Sequence, residues 1–175
     1  MGMERLFSNI IGTPVVDDDF KHPITTVRDV VIDPESGKLV ALVVDINRNL
    51  VIAPIDILAW GDTIRIPAHD AVIEGNEILR VAEVQKRNIR IIHNRVETKN
   101  KEYIGKVVDF SIDVNDLTLK KLYTAKDILG LVRYDSRIIP AKIIERILPE
   151  KIIVKMNIVT LPEERRPVAE EAMAG

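Results

Sequence analysis

The hairpin pattern of residues 27–44 limits the possible folds more than any other segment of the chain. Two apolar, mainly β-branched runs, Val30–Ile32 and Leu39–Val44, flank the polar segment Asp33-Pro34-Glu35-Ser36-Gly37. Proline presets the backbone for a turn, aspartate accepts hydrogen bonds from amides further along, and glycine tolerates a positive φ. The segment therefore predicts two antiparallel strands joined by a tight turn.

A related pattern returns 80 residues later in the chain. Asp29 and Asp33 correspond to Asp109 and Asp113, and Leu117–Leu122 supplies the strand that follows the turn. Repetition at this period predicts two similar domains, because solenoid repeats have periods of roughly 20 to 50 residues.

The two copies are predicted to differ in length and to end in a tail. Pro54 corresponds to Pro140 at a separation of 86, so the second copy is longer around its second hairpin. We expect one domain over residues 1–80, a second over residues 81–161 and a polar C-terminal tail over residues 162–175.

The composition favours strands over helices. Only 4% of the residues are aromatic and 46% are hydrophobic, so Val, Ile and Leu must form most of the core. β-Branched residues favour strands, and short strands with a turn roughly every 8 to 12 residues are typical of small barrels and sandwiches. We therefore predict an all-β fold.

Three local features complete the predicted organisation. Pro14 is expected at an edge strand or a bend, because proline cannot donate to a ladder. Residues 54–61 and 141–145 are each expected to form a short helical turn, the first with Pro54 at its start and Gly61 at its end. The segment 78–84 fits a strand or a helix, because its periodicity favours neither.

The sequence contains no recognisable reaction chemistry. The chain has no cysteine, which excludes disulfides and thiolate metal sites, and no apolar run reaches the ~18 residues of a membrane-spanning helix. Asp17-Asp18-Asp19 with His22 lacks EF-hand spacing and is typical of a solvated loop. We expect a cytoplasmic, non-enzymatic protein without a metal or a cofactor.

The sequence resembles the PRC-barrel family in both copies. The first copy contains Val27-Arg-Asp-Val-Val-Ile-Asp33, an acidic turn ending in glycine, and Ile52-Ala-Pro54 before the helical turn. The second copy contains Tyr103-Ile-Gly-Lys-Val-Val-Asp109 and later Ile138-Ile-Pro140. The resemblance implies two tandem six-stranded β-barrels with short helical turns.

The resemblance also carries a functional implication and one departure. Members of this family share protein–protein contact and no common catalytic residues, and relatives include a photosynthetic reaction-centre subunit and a ribosome maturation factor. Thr25 stands where the second copy has Gly105, which puts the opening turn of the first barrel outside the family pattern.

We interpret the chain as an adaptor or scaffold that binds an unidentified protein partner, with homodimerisation as a second expectation. Trp60 either packs in the core or between the barrels, or anchors a partner, since tryptophan is enriched at interface hot spots. The predicted contact residues are Trp60, Ile57, Tyr123, Tyr134, Lys86, Arg87 and Arg90.

Two alternative functions remain open on sequence grounds. RNA or ribosome binding is implied by the resemblance to the ribosome maturation relative and is supported by the basic second half. Residues 1–80 carry a net charge of −6 (7 basic, 13 acidic) and residues 81–175 carry +4 (18 basic, 14 acidic). That hypothesis requires binding that weakens steeply with salt. A small-ligand binder or an enzyme requires a concave pocket with convergent polar groups.

Overall fold

The computed structural model describes residues 2–19, 22–128 and 131–155, with side chains except at residues 127, 128 and 131–135. These residues contain fifteen strands, arranged in three sheets, and two short α-helices. This confirms the all-β prediction. For brevity, residues 2–88 are called the first half and residues 89–155 the second half.

The elements of the first half are short. They are β1 Glu4–Leu6, α1 Phe7–Ile10, β2 Pro14–Val16, β3 Thr25–Thr26, β4 Asp29–Ile32, β5 Leu39–Asp45, β6 Leu50–Ile52, β7 Ala59–Trp60, β8 Ile64–Arg65, β9 Val72–Glu74 and α2 Leu79–Lys86. Three 3-10 turns, Pro54–Asp56, His69–Ala71 and Gly75–Glu77, connect the later strands.

The second half has fewer and longer strands. They are β10 Arg95–Thr98, β11 Tyr103–Asp113, β12 Thr118–Ile128, β13 Leu131–Pro140, β14 Ile144–Ile147 and β15 Lys151–Val154, with a 3-10 turn at Ala141–Ile143.

Strand neighbours occur in the same order in both halves. The first half has the sheets β7-β8-β2-β3 and β4-β5-β6-β9, and the second half has the sheet β14-β15-β10-β11-β12-β13. In each half one pair is parallel, β2 with β8 and β10 with β15, and the other pairs are antiparallel. The main difference is that β3 and β4 are separate strands, whereas β11 runs continuously.

Each half begins with the same backbone reversal. The Gly12 amide donates to the Val27 carbonyl at 2.8 Å, and the His93 amide donates to the Val107 carbonyl at the same distance. Both residues have a positive φ, +86° at Gly12 and +65° at His93. A positive φ is energetically unfavourable for L-residues, whereas glycine adopts it readily.

The predicted hairpin turns form through the aspartates. One carboxylate oxygen of Asp33 accepts from the Glu35 amide at 3.1 Å, and Asp113 accepts from the Asn115 amide at 2.8 Å. Gly37 has a φ of +69°, as the turn pattern predicts. These side chains supply acceptors to amides that lie beyond the ladder, which fixes where each strand reverses.

The two hairpin tips pair with each other. The Leu39 amide donates to the Leu117 carbonyl and the Leu119 amide donates to the Gly37 carbonyl, both at 2.8 Å. Each joined pair is separated by about 80 positions in sequence. Lys38 and Thr118, which are 80 positions apart, form an antiparallel bridge. Equivalent segments therefore meet each other, as they do around a twofold axis.

The N-terminal segment crosses to the second half. Strand β1 pairs antiparallel with the end of β11, from Glu4 opposite Asp113 to Leu6 opposite Ser111. In α1, the Ser8 hydroxyl donates to Asp109 at 2.6 Å and the Phe7 ring stacks on Phe110 with centroids 4.8 Å apart. By contrast, α2 stays with its own half and packs on β4 and β5 of the first half.

One hydrophobic cluster includes residues of both halves. Side chains with no measurable exposure, such as Leu42 and Ile52 in the first half and Leu122 and Ile152 in the second, belong to the same cluster. A smaller cluster lies between α2 and the outer face of β5 and β6, where Val81 packs with buried aliphatic residues. Burying aliphatic area of this kind supplies most of the folding free energy.

Three sequence expectations need correction or completion. Strand β2 lies between β3 and β8, so the edge position expected for Pro14 is wrong, and proline is tolerated there as the first residue of its strand. The turn that begins at Pro54 ends at Asp56, and Ala59–Trp60 is a strand because it pairs with β8. The ambiguous segment 78–84 is helical from Leu79 onward, because Val81 and Val84 bury one face.

Candidate functional site

Two exposed aliphatic side chains lie in and just after the 3-10 turn Pro54–Asp56 of the first half. The Ile55 residue is 88% exposed and Leu58, two residues beyond the turn, is 47% exposed. These two residues are here named the Ile55–Leu58 patch. A large aliphatic residue held this far into solvent gains nothing for the core.

Trp60 and Ile57 are close to this patch in sequence but pack against the core. Trp60 is on β7 opposite Ile64 and is 8% exposed, and Ile57 is half-buried against the core. The indole Nε1 of Trp60 is buried and finds no hydrogen-bond acceptor among the described residues. The sequence allowed Trp60 either to pack in the core or between the barrels, or to anchor a partner. In the structure Trp60 packs in the core, and Ile57 lies at the boundary between core and surface.

The second half has the same turn with different chemistry. The turn residues 54–56 correspond to 141–143, because the closing amides are those of Ile57 and Ile144. This places Lys142 at the position of Ile55 and Glu145 at the position of Leu58, and all four are exposed. The next buried residue is Trp60 in one half and Ile147 in the other.

This correspondence is one residue away from the match expected between Pro54 and Pro140. Pro140 closes β13, and the 3-10 turn begins at Ala141. The sequence interpretation therefore missed Ile55 and Leu58. The signal that identifies them is apolar spacing of three after Pro54, at positions that are charged in the second half.

Acidic residues lie close to the patch in sequence. Asp56 is in the 3-10 turn between Ile55 and Ile57, and Asp62 follows β7 with a fully exposed carboxylate, 4.0 Å from the Arg5 guanidinium. Asp18, after β2, lies 3.9 Å from the guanidinium of Arg65. Polar residues are typical of the rim of a protein interface.

The predicted basic segment is only partly engaged within the chain. Arg87 donates to Glu35 at 2.7 Å, which joins the end of α2 to the first hairpin. Lys86 and Arg90 are exposed, and the positive charge of Arg90 acts on the Asp29 carboxylate. Lys86 is the last residue of α2, and Arg87 and Arg90 follow it.

The predicted tyrosines lie in another sheet. Tyr123 is half-buried on β12, between Asp109 on β11 and Ile138 on β13. Tyr134 is on β13, and its side chain lies outside the described residues. Ile138, which sequence reasoning did not select, is 43% exposed beside Tyr123.

Buried carboxyl groups are engaged by cations. Burial raises the pKa of Asp33, but hydrogen bonds from Ser36 and from Arg80 at 2.6 Å outweigh that effect and lower it overall. A hydrogen bond from Lys151 at 2.7 Å, with help from Arg95, lowers the pKa of Glu97. Ionised, paired carboxylates of this kind hold structure together and are poor proton donors or acceptors near pH 7.

Two clefts among the described residues are small. One of about 240 Å³ is lined by residues that include Ile24, Val44 and His69. Another of about 290 Å³ is lined by residues that include Arg90, Arg95 and Lys106. Both are below the roughly 300 to 1,000 Å³ of typical small-ligand sites.

Two further observations concern metals and membranes. Within the described ranges, no group of three or more histidine or acidic side chains is placed to hold a metal ion. The loop containing Asp17 is closed by a hydrogen bond from the Asp19 amide to its carboxylate. Neither α-helix in the part of the chain that the structure describes is long and apolar enough to cross a bilayer.

A comparison with known protein families finds a match over the first half. Residues 3–88 match the family model of the PRC-barrel domain. The match ends just after α2, which agrees with the packing of that helix on the first half and lies beyond the boundary expected at residue 80. A search of the curated proteins finds no match to the chain.

Proposed function

We propose that the PRC-barrel domain of residues 3–88 is the first of two tandem barrels, and that the protein is a non-enzymatic cytoplasmic adaptor that binds a partner through the Ile55–Leu58 patch. The second barrel comprises residues 95–154. Three observations support the arrangement as two tandem barrels: the shared strand order, the shared opening reversal and the paired hairpin tips.

The patch is the observation that carries the binding role. The second half places Lys142 and Glu145 at the same exposed positions, so the fold itself does not need aliphatic residues there. Exposed apolar groups cost solubility unless something covers them. A partner that covers Ile55 and Leu58 removes their apolar area from water, and this burial contributes to the free energy of binding.

The acidic residues beside the patch in sequence favour a basic partner. Asp56 follows Ile55 directly, and the fully exposed carboxylate of Asp62 has a long contact of 4.0 Å with Arg5. We expect an apolar anchor flanked by lysine or arginine. Rim charges of this kind raise association rates more than they raise affinity.

The test exchanges the patch for the second-half residues. In the double variant Ile55→Lys with Leu58→Glu, we expect the free energy of unfolding to stay within about 0.5 kcal/mol of wild type, as for other surface changes. Binding to the partner should weaken at least about thirtyfold, which is the roughly 2 kcal/mol of an interface hot spot.

The partner is identified by comparing three proteins on the same affinity resin. Leu79→Glu is the matched control, because Leu79 is also exposed and apolar but lies on α2. A protein retained by wild type and Leu79→Glu, lost from the double variant, and bound directly once purified supports the proposal. Equal retention of every bound protein by all three refutes it.

Homodimerisation through the same patch is the second expectation. Sedimentation velocity of wild type and of the double variant measures it directly, because an isologous interface must use the patch on both subunits. A dimer that persists in the double variant places the dimer contact elsewhere.

A further inference from the structure

Three basic side chains line the larger of the two clefts described above, here named the Arg95 cleft. Arg90 precedes the opening reversal of the second half, Arg95 is the first residue of β10, and Lys106 is on β11. The cleft measures about 290 Å³, and Glu150, between β14 and β15, also lines it. Because three cations face one another here against the carboxylate of Glu150, the cleft favours a small anion.

The register of the sheet places like charges side by side at this cleft. Arg95 is directly opposite Lys106 on β11 and directly opposite Lys151 on β15. Directly opposite residues of neighbouring strands project from the same face, and like charges at such positions destabilise a sheet. A bound anion would relieve the repulsion along this row of three cations.

Glu97 compensates for part of the positive charge. Its carboxylate accepts hydrogen bonds from Lys151 at 2.7 Å and from Nε of Arg95 at 3.3 Å. Lys106 is exposed, and no carboxylate among the described residues forms an ion pair with it. The cleft therefore keeps unneutralised charge at Lys106 and at Arg90, which acts on Asp29 only through its electric field.

The Arg95 guanidinium is held in place while its terminal nitrogens stay free. Its central carbon lies 4.4 Å from the centre of the Tyr103 ring, and its Nε is bonded to Glu97. The two terminal nitrogens donate to no other described residue, and the side chain is 49% exposed. A guanidinium fixed in this way is pre-organised to donate two parallel hydrogen bonds to an oxyanion.

The first half has uncharged residues at the same positions. The two parallel strand pairs align Val96 with Val15 and Ile152 with Ile64, and the opening reversals align the segments that precede them. The fold therefore forms without cations at these places, so their charge serves another purpose. On this alignment Arg90, Arg95, Lys106 and Lys151 correspond to Asn9, Pro14, Thr26 and Thr63.

We propose that the Arg95 cleft binds a phosphate group, with Arg95 and Lys106 as its main contacts and Arg90 beside them. A phosphate group carries the charge that the cleft lacks, and its oxygens accept from several cations at once. The volume suits one such group better than a larger organic ligand. A small phosphorylated molecule and a nucleic-acid strand both carry this group, and the experiment separates them.

Inorganic phosphate is the first probe of the full chain. Amide chemical shifts are followed during titration with phosphate and, separately, with sodium chloride at the same ionic strength. We expect shifts that saturate with phosphate alone, at residues 90–95 and at Lys106. The double variant Arg95→Gln with Lys106→Gln should bind phosphate at least about tenfold more weakly, because hydrogen bonds between charged groups are the strong ones.

The control variant removes the same charge elsewhere. Lys86→Gln with Lys142→Gln is matched, because both lysines are exposed and neither lines the cleft. This control should bind phosphate as wild type does. Glu150→Gln removes the opposing carboxylate and should tighten binding about threefold.

Three results would overturn the proposal. The first is the absence of a saturating phosphate shift in the wild type. The second is equal weakening in the cleft variant and in the control, because overall charge then explains the attraction. The third is binding that Glu150→Gln leaves unchanged or weakens, because the phosphate then lies outside the cleft.

A short single-stranded RNA distinguishes the two sources of the phosphate group. RNA that binds more tightly than inorganic phosphate, with an affinity that falls steeply with salt and is lost in the cleft variant, identifies a nucleic-acid strand. RNA that binds no more tightly identifies a small phosphorylated molecule. Both results support the phosphate site. Neither depends on the Ile55–Leu58 patch, so either proposal can fail alone.

Discussion

Alanine substitution at three glycines separates two causes of backbone restriction in this fold. Gly12 has a φ of +86° and open space around it, and Gly105 has a φ of +155°. A Cβ at Gly105 would lie 2.7 Å from the Ala125 carbonyl oxygen. Gly61 has open space and no positive φ, so it is the control.

The expected costs follow from those environments. Gly61→Ala should stabilise the protein by about 0.4 to 1 kcal/mol, because alanine restricts the unfolded chain. Gly12→Ala loses that gain to a left-handed backbone cost of about 1 to 2 kcal/mol, leaving a net loss of about 1 kcal/mol. Gly105→Ala adds a contact with backbone that cannot move aside, at about 1 to 3 kcal/mol, for a net loss of about 3 kcal/mol.

Urea unfolding followed by circular dichroism measures the order of stability. We expect Gly61→Ala above wild type, Gly12→Ala below it and Gly105→Ala lowest, with a common dependence on urea. If Gly12→Ala is as stable as Gly61→Ala, then the opening reversal does not require a left-handed residue. If Gly105→Ala matches Gly12→Ala, then the approach of Ala125 is not limiting and the space argument is refuted.

Two further predictions concern pH and cooperativity. Because the folded pKa of Asp33 lies below its ordinary value of 3.8, its carboxylate stabilises the protein above about pH 4 and this contribution is lost as the pH falls through the folded pKa. Asp33→Asn should therefore lower the urea midpoint at pH 7 and lower it much less at pH 3, and an equal effect at both pH values would contradict this. Leu42→Ala and Leu122→Ala, at equivalent fully buried positions of one shared cluster, should each cost about 2 to 5 kcal/mol and shift a single unfolding transition. Two separate transitions, only one of which moves in each variant, would show that the halves unfold independently.

Local chemistry was sufficient to predict the hairpins. In their turns, Asp33, Gly37 and Asp113 act on residues a few positions away, so these turn roles can be read from sequence order alone. The 3-10 turn after Pro54 was also predictable, because proline favours the first position of a helical turn. Its length was not, because the pairing of β7 with β8 decides where it ends.

Contacts between distant segments could not be predicted in the same way. The pairing of β1 with β11 joins residues more than 100 positions apart, and a three-residue strand contains too little pattern to specify its partner. The left-handed residue at the opening reversal of the second half is His93, which has no glycine signal. Its equivalence to Gly12 appears only through the amides that donate to Val27 and Val107.

The patch was missed for a different reason. Sequence reasoning named Trp60 as a candidate contact because tryptophan is frequent in interfaces, while also allowing it to pack in the core, and β7 turns it inward. Ile55 looks like an ordinary aliphatic residue until its exposure is known. Only the alignment of the two 3-10 turns shows that an exposed charge serves the fold equally well at that position.

Comparing the two halves position by position separates residues that fold the protein from residues that serve another purpose. Trp60 and Ile147 differ in size but are both buried, so the core explains them. Ile55 and Lys142 are both exposed, so the core explains neither, and the choice between aliphatic and charged must come from what each surface meets. Under the proposed function, an exposed apolar residue whose counterpart is charged, such as Ile55 with Lys142 as its counterpart, is one that a partner covers.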